Sequence, residues 1–363
     1  MAINDTKVRL NYIDWVKAIG IFLIVIGHCL PAYTMPRTLI YSFHVPLFAF
    51  AGGLLATAPK SAKDLGRRTL KLLTRMGIPY LIWYVVSCIP YMVEECPFKT
   101  DYSFVECVER FFLLGGRPNW NAALWFIPCY FIVNLLFLCF AYLMRGNKLC
   151  MLGVGLASFV GIIILEETDT TVNFLQYENI FSMHNVFLLL GYFCIAYVLK
   201  DAIKFIATRT EKPYKNYMLY IALGALVLSL VLSDTLNRDA TRPGGYFGLS
   251  VLNLNYNNIY IYIPVALAIL VSLTLTCALL PRSNVAFVMS RGSFFIMAVH
   301  YYFLISPYYT TPSWKEGKWE ASMHIGLRTG VYITVILVSL LLLLDVIRKR
   351  VKIVDKALFY LGI

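Results

Sequence analysis

The chain has 363 residues, 59% hydrophobic and 14% charged, with mean hydropathy +0.68 and a formal net charge of +12. A soluble domain carries about 25% charged residues, so a soluble globular fold is excluded and a multi-pass membrane protein is indicated. The positive charge does not point to nucleic acid. The basic residues gather at the ends of apolar stretches, where membrane topology and anionic headgroups place them.

Taken in chain order, ten stretches reach or approach the roughly 18 apolar residues that cross a bilayer as a helix. They lie near 14–33, 38–57, 76–93, 122–144, 149–165, 179–199, 217–233, 257–280, 292–308 and 325–347. The first is read as a span rather than a cleaved leader, because Cys29-Leu30-Pro31 has no small-residue cleavage pattern. With the N-terminus in the cytoplasm, the inner segments hold 22 Lys and Arg and the outer segments 8. Both termini are therefore expected inside. We find no linker, low-complexity segment or internal repeat. The expected fold is an all-α transmembrane helix bundle forming one domain over 1–363.

The first span carries the strongest chemical signal. Asp14, Lys17 and His28 share one face, and the eleven residues from Lys17 to His28 make about three turns, or about 16 Å along the axis. Ionisable groups inside a membrane helix are costly and mark function by default. The second span holds His44 two residues before Pro46, where a bend is expected to release backbone groups. Between the second and third spans lies a basic segment, Lys60–Arg75. Within it Arg68, Lys71 and Arg75 recur at helical spacing and are expected to share a face suited to phosphate.

The outer segments are aromatic and polar. Tyr246 and Asn255 belong to the richest of them, which suits either an interfacial belt or a sugar site. The nine cysteines contain no CxxC pair or other metal-ligand spacing, so no metal is expected. Cys96 and Cys107 share one outer segment, which leaves a disulfide open to them if that compartment is oxidising. His300 lies in the ninth span, and His184 and His324 lie near span ends.

Asp14-Trp15-Val16-Lys17, followed by ten residues and His28, resembles the opening motif of the acyltransferase-3 family of membrane O-acyltransferases. Ser42–Gly53 is similar to the second-span motif of its fucose 4-O-acetylase-like branch. Arg68–Tyr80 resembles the family's basic segment ending in Pro, Leu124–Pro128 its Leu-Trp-Phe motif, and Gly292–His300 its late Ser…His motif. Two positions depart from the pattern. Met297 stands where an aromatic is usual, and the basic segment reads Lys71…Arg75 rather than a compact Arg-x-x-Arg.

The resemblance implies transfer of an acyl group, usually acetyl from acetyl-CoA, to a hydroxyl of a glycan or related molecule in the cell membrane. Coenzyme A is expected to meet Arg68, Lys71 and Arg75, and Lys17 as well, with its thioester near His28. His28 then serves as general base or carries the acyl group itself. Asp14 neutralises Lys17, Trp125 shapes the cavity, and His44 and His300 complete the substrate site. A non-enzymatic exporter of a glycan is the competing reading, because intramembrane Asp, Lys and His also build proton and substrate paths.

Overall fold

The computed structural model describes residues 10–31, 34–89, 105, 121–168, 183–209, 214–238, 249, 251, 256–310 and 319–363. Tyr246, Asn255, Cys96 and Cys107 lie outside them. Among the described residues every regular element is helical. Within a bilayer the backbone has no water to bond to, and a helix satisfies its own amides and carbonyls. Among the described residues, eight helical stretches are long and apolar enough to cross a membrane, Met35–Leu55 counted as one despite an internal break. The expected span 76–93 corresponds to a shorter helix, Ile78–Cys88, and 292–308 to the 18-residue helix Ser293–Thr310.

Helix α1 (Asn11–Cys29) ends just before Pro31, whose ring disfavours helical geometry in the residue ahead of it. The second expected span is two helices, α2 (Met35–Tyr41) and α3 (His44–Leu55), broken at Ser42–Phe43. The break therefore precedes His44, and Pro46 does not cause it. Pro46 falls in the first turn of α3, where its missing N–H costs no helical bond. Ser61 then caps α4 (Ala62–Leu72), its hydroxyl accepting from the Asp64 amide at 3.1 Å.

A π-helical turn, Leu73–Gly77, joins α4 to α5 (Ile78–Cys88). After a 3-10 turn at Ala122–Trp125 come α6 (Phe126–Leu143) and α7 (Lys148–Glu167). Their tight connection puts Arg145 and Gly146 at positive φ, and Asn147 caps α7. The chain continues through α8 (Met183–Arg209), α9 (Tyr214–Leu236) and α10 (Ile259–Leu279). It closes with α11 (Asn284–Arg291), α12 (Ser293–Thr310), α13 (Trp319–Arg350) and α14 (Lys352–Tyr360).

Helix α1 is central. It packs against α3, α10, α11, α12 and α13, whereas α9 leans mainly on α10 at the periphery. Small residues let α13 approach α1, since a Cβ on Gly326 would strike the Cys29 carbonyl and one on Gly330 would strike Ile26. Gly53 of α3 lies equally close to the backbone of α8 at Phe193. Gly53→Ala should therefore force α3 and α8 apart and cost about 1–3 kcal/mol. Gly153→Ala, which meets open space, should be neutral or stabilising. Thermal midpoints of the two detergent-solubilised variants check the contrast, and an unchanged midpoint for Gly53→Ala would contradict the packing.

One end of the bundle is basic and tied together by polar contacts. Trp15 Nε1 donates to the Pro281 carbonyl at 2.7 Å, Lys148 pairs with Asp201 at 2.6 Å, and Lys200 Nζ donates to the Ala56 carbonyl at 2.9 Å. At the opposite end, buried amides and phenols join α8, α9 and the start of α10. Tyr256 donates to Asn185 Oδ1, Asn185 Nδ2 donates to His184 Nε2, and Asn237 Nδ2 donates to the Tyr256 carbonyl.

Candidate active site

His28 occupies the last turn of α1, and α2 folds back so that Tyr41 reaches it. Gly27 makes this possible, since a Cβ there would lie 3.0 Å from the Tyr41 ring. The Tyr41 hydroxyl lies 3.0 Å from His28 Nδ1. From α12, the Tyr301 hydroxyl lies 3.0 Å from the same nitrogen. Two phenols from distant parts of the chain thus hold one edge of the imidazole. Arg37 adds a second layer, donating to the Leu30 carbonyl at 2.9 Å and to the Tyr41 hydroxyl at 3.4 Å, with its guanidinium 4.9 Å from the Tyr41 ring centre.

Two further histidines stand beside this group. The His300 ring centre is 5.3 Å from that of His28 and 4.8 Å from Tyr301. His300 Nδ1 faces the carbonyls of Ile296 and Met297 at 3.1 and 2.8 Å. Carbonyl oxygens only accept, so Nδ1 carries the proton and Nε2 the lone pair. That Nε2 is buried and has no hydrogen-bond partner among the described residues, a condition that costs about 1–3 kcal/mol. The His44 ring lies tilted against Tyr41, with ring centres 4.5 Å apart, and donates from Nδ1 to the Ile40 carbonyl at 2.9 Å. It therefore shapes the group by fixing Tyr41.

Toward the basic end lies a cavity of about 600 Å³. Its cationic lining is Lys17 from α1, Arg75 from the π-helical turn and Arg291 from the end of α11. Ser290, Ser293 and the rings of Phe48, Phe126 and Tyr130 line it as well, with Met297 on α12. Arg291 donates to Asp345 at 2.7 Å, while its Nε is buried and has no partner among the described residues. An orphaned guanidinium N–H beside two further cations suits an anion such as phosphate.

The cavity and the histidine group are joined by two helices. Lys17 and His28 lie on α1. On α12, Met297 lines the cavity and His300 and Tyr301 follow one turn later.

The expected basic clamp is divided. Arg68 donates to the Thr57 carbonyl at 2.8 Å and pairs with Asp64 at 2.9 Å. Arg67, then Arg68, then the Lys60 amide hold the Asp64 carboxyl below the usual carboxylate range. Lys71 is exposed, and neither Arg68 nor Lys71 lines the cavity. Arg68 and Lys71 lie in α4, whereas Arg75 lies in the π-helical turn after it, and of the three only Arg75 lines the cavity.

Asp14 is buried at the same end of α1 as Lys17 and does not line the cavity. Trp125 is buried in the 3-10 turn with its ring edge against Phe126, a cavity residue. Beside it, Asn121 donates from Nδ2 to the Ala298 carbonyl at 3.0 Å and so ties that turn to α12. His184 belongs to the separate amide network and His324 is exposed.

Sequence reasoning passed over Arg37, Tyr41, Tyr301 and Arg291. Arg291 carried a readable signal, as a cation immediately before the Gly292–His300 motif. The tyrosines carried none, among 25 in the chain.

The profile of a family described as an acyltransferase domain matches residues 10–344. No curated protein matches the chain, and no solved structure does.

Proposed function

The chain belongs to the acyltransferase-3 family, and from that premise we propose that this membrane acyltransferase is an O-acetyltransferase acting on glycans. It takes acetyl from acetyl-CoA at the basic end of the bundle and delivers it to a hydroxyl of a cell-surface or lipid-linked glycan, in the manner of the fucose 4-O-acetylase-like branch. One observation carries the reading. A cation-lined cavity at Lys17, Arg75 and Arg291 shares two helices, α1 and α12, with an imidazole group at His28 and His300.

Acetyl-CoA is the acyl donor and no metal takes part. Its phosphates pair with the three cations, with the two serines as further donors. Its pantetheine arm lies along the aromatic wall and Met297. The Lys17–His28 separation, about 16 Å, matches the reach of that arm, so the thioester arrives beside the His28 ring. The acceptor enters from the opposite end, and His28 is the imidazole on which transfer depends.

Purified protein in lipid nanodiscs, given radiolabelled acetyl-CoA and membranes of cells lacking the gene as the acceptor source, should yield alkali-labile label on a glycan. Absence of such label from a protein that binds coenzyme A would refute the acetyl-to-glycan assignment. An exporter predicts movement of glycan across the bilayer with no label.

The orientation is proposed as cytoplasmic for the basic end, in the inner cell membrane. In a background lacking other cysteines, Lys63→Cys should be shielded from an impermeant thiol reagent in intact cells, and Arg238→Cys should react. The reverse pattern would place the donor cavity on the wrong side of the membrane.

A further inference from the structure

We propose that His300 is a second catalytic residue of this acyl-transfer centre, its Nε2 taking the proton of the acceptor hydroxyl while His28 donates a hydrogen bond to the thioester carbonyl. This rests on the acyl-transfer reading above and assigns the proton within it.

The argument begins with tautomers. His300 is locked by its own helix, because Nδ1 faces two carbonyl oxygens and the lone pair must sit on Nε2. The ring is fully buried, and Nε2 has no partner among the described residues. A general base needs this state before substrate arrives, with its tautomer fixed and its lone pair uncommitted. A histidine that only packed would leave that nitrogen as a buried defect.

His28 is biased the other way. Arg37 can only donate, and it faces the Tyr41 hydroxyl at 3.4 Å. With Arg37 occupying one acceptor position of that oxygen, the Tyr41 hydroxyl proton is assigned in this proposal to His28 Nδ1, 3.0 Å away. With Nδ1 accepting, the His28 proton resides on Nε2. The two rings, 5.3 Å apart, thus offer one base and one donor. They serve a thioester rising past Met297, one helical turn before His300 on α12.

The step balances. The hydroxyl oxygen attacks the thioester carbonyl carbon as its proton passes to His300 Nε2, and the carbon–oxygen bond forms. The oxyanion accepts a hydrogen bond from His28 Nε2–H. The carbon–sulfur bond breaks, and the departing thiolate takes the proton back from the His300 imidazolium. Ester and coenzyme A thiol are formed, and both rings return to their starting states.

Two near-isosteric variants separate the roles. In His300→Asn the amide nitrogen stands for Nδ1, with nothing at Nε2. In His300→Gln an amide oxygen reaches the Nε2 position as an acceptor without basicity. Both should keep coenzyme A affinity, acetyl-CoA KM and thermal midpoint while kcat falls about 100- to 10,000-fold, read with radiolabelled acetyl-CoA and the acceptor membranes. Transfer within tenfold of wild type in His300→Gln would overturn the proposal and leave a positioning acceptor. The same result in His300→Asn would leave a packing residue.

His300→Ala supplies a further test, because it opens the ring's space to added imidazole. Transfer should rise with imidazole concentration, and no rise with donor affinity intact would also overturn it. Activity surviving in the His300 variants but lost in His28→Ala refutes this inference alone. No transfer by the wild type refutes the reading beneath it.

Discussion

His28→Ala is expected to fold, to bind coenzyme A as the wild type does, and to lose acyl transfer by about 100- to 10,000-fold. His28 does not line the cation-lined cavity proposed for the donor, so its removal leaves Lys17, Arg75 and Arg291 in place. What disappears is the ring that Tyr41 and Tyr301 hold by its Nδ1 edge. The two phenols lose a shared partner, a cost of about 1 kcal/mol each, and the thermal midpoint should fall by only a few degrees. A kinetic loss far larger than the stability loss separates chemistry from scaffolding. Near-normal turnover in a folded His28→Ala protein would remove this site from the reaction.

The second large effect is expected at Arg75, in contrast to Arg68. Arg75→Gln should weaken coenzyme A binding about tenfold or more. A charge-assisted phosphate contact contributes about 1.5–3 kcal/mol, and about 1.4 kcal/mol is a factor of ten. The difference from wild type should shrink in high salt, because Arg75 is exposed and its field is screened. Arg291→Gln should weaken binding too, at some further cost to folding through its pair with Asp345.

Arg68→Gln should leave donor affinity unchanged and lower stability slightly, since Arg68 ties Thr57 to Asp64. Isothermal titration of coenzyme A into each variant reads the contrast directly. Equal weakening by Arg68→Gln and Arg75→Gln would mean that both residues reach the donor and that the cavity lining does not divide them.

The sequence by itself determined the class of molecule and singled out the helix on which its chemistry is proposed. Apolar runs of bilayer length can satisfy their backbones only as helices, so an all-α membrane bundle was legible from composition and run length. Lys17 and His28 were legible because their spacing is local. Eleven residues on one helix fix their relation before any other helix packs, and the cost of burying such groups in lipid marks them out. The acyltransferase-3 motifs were legible for the same reason, each lying within a single stretch of chain.

The tertiary structure decided what local periodicity does not encode. Tyr41 and Tyr301 meet at one nitrogen from positions 260 residues apart. Lys17, Arg75 and Arg291 converge from three elements. The Arg68–Arg75 pattern read as one clamp because local spacing groups the three cations, yet Arg68 is taken up by Thr57 and Asp64 and only Arg75 lines the cavity. The second span read as one helix bent at Pro46, yet the chain breaks earlier, at Ser42–Phe43, and α2 turns Tyr41 toward His28. The protonation pattern of the histidines was the least legible of all. It depends on which carbonyls and hydroxyls face each ring nitrogen, and that is settled only when α1, α2 and α12 have packed together.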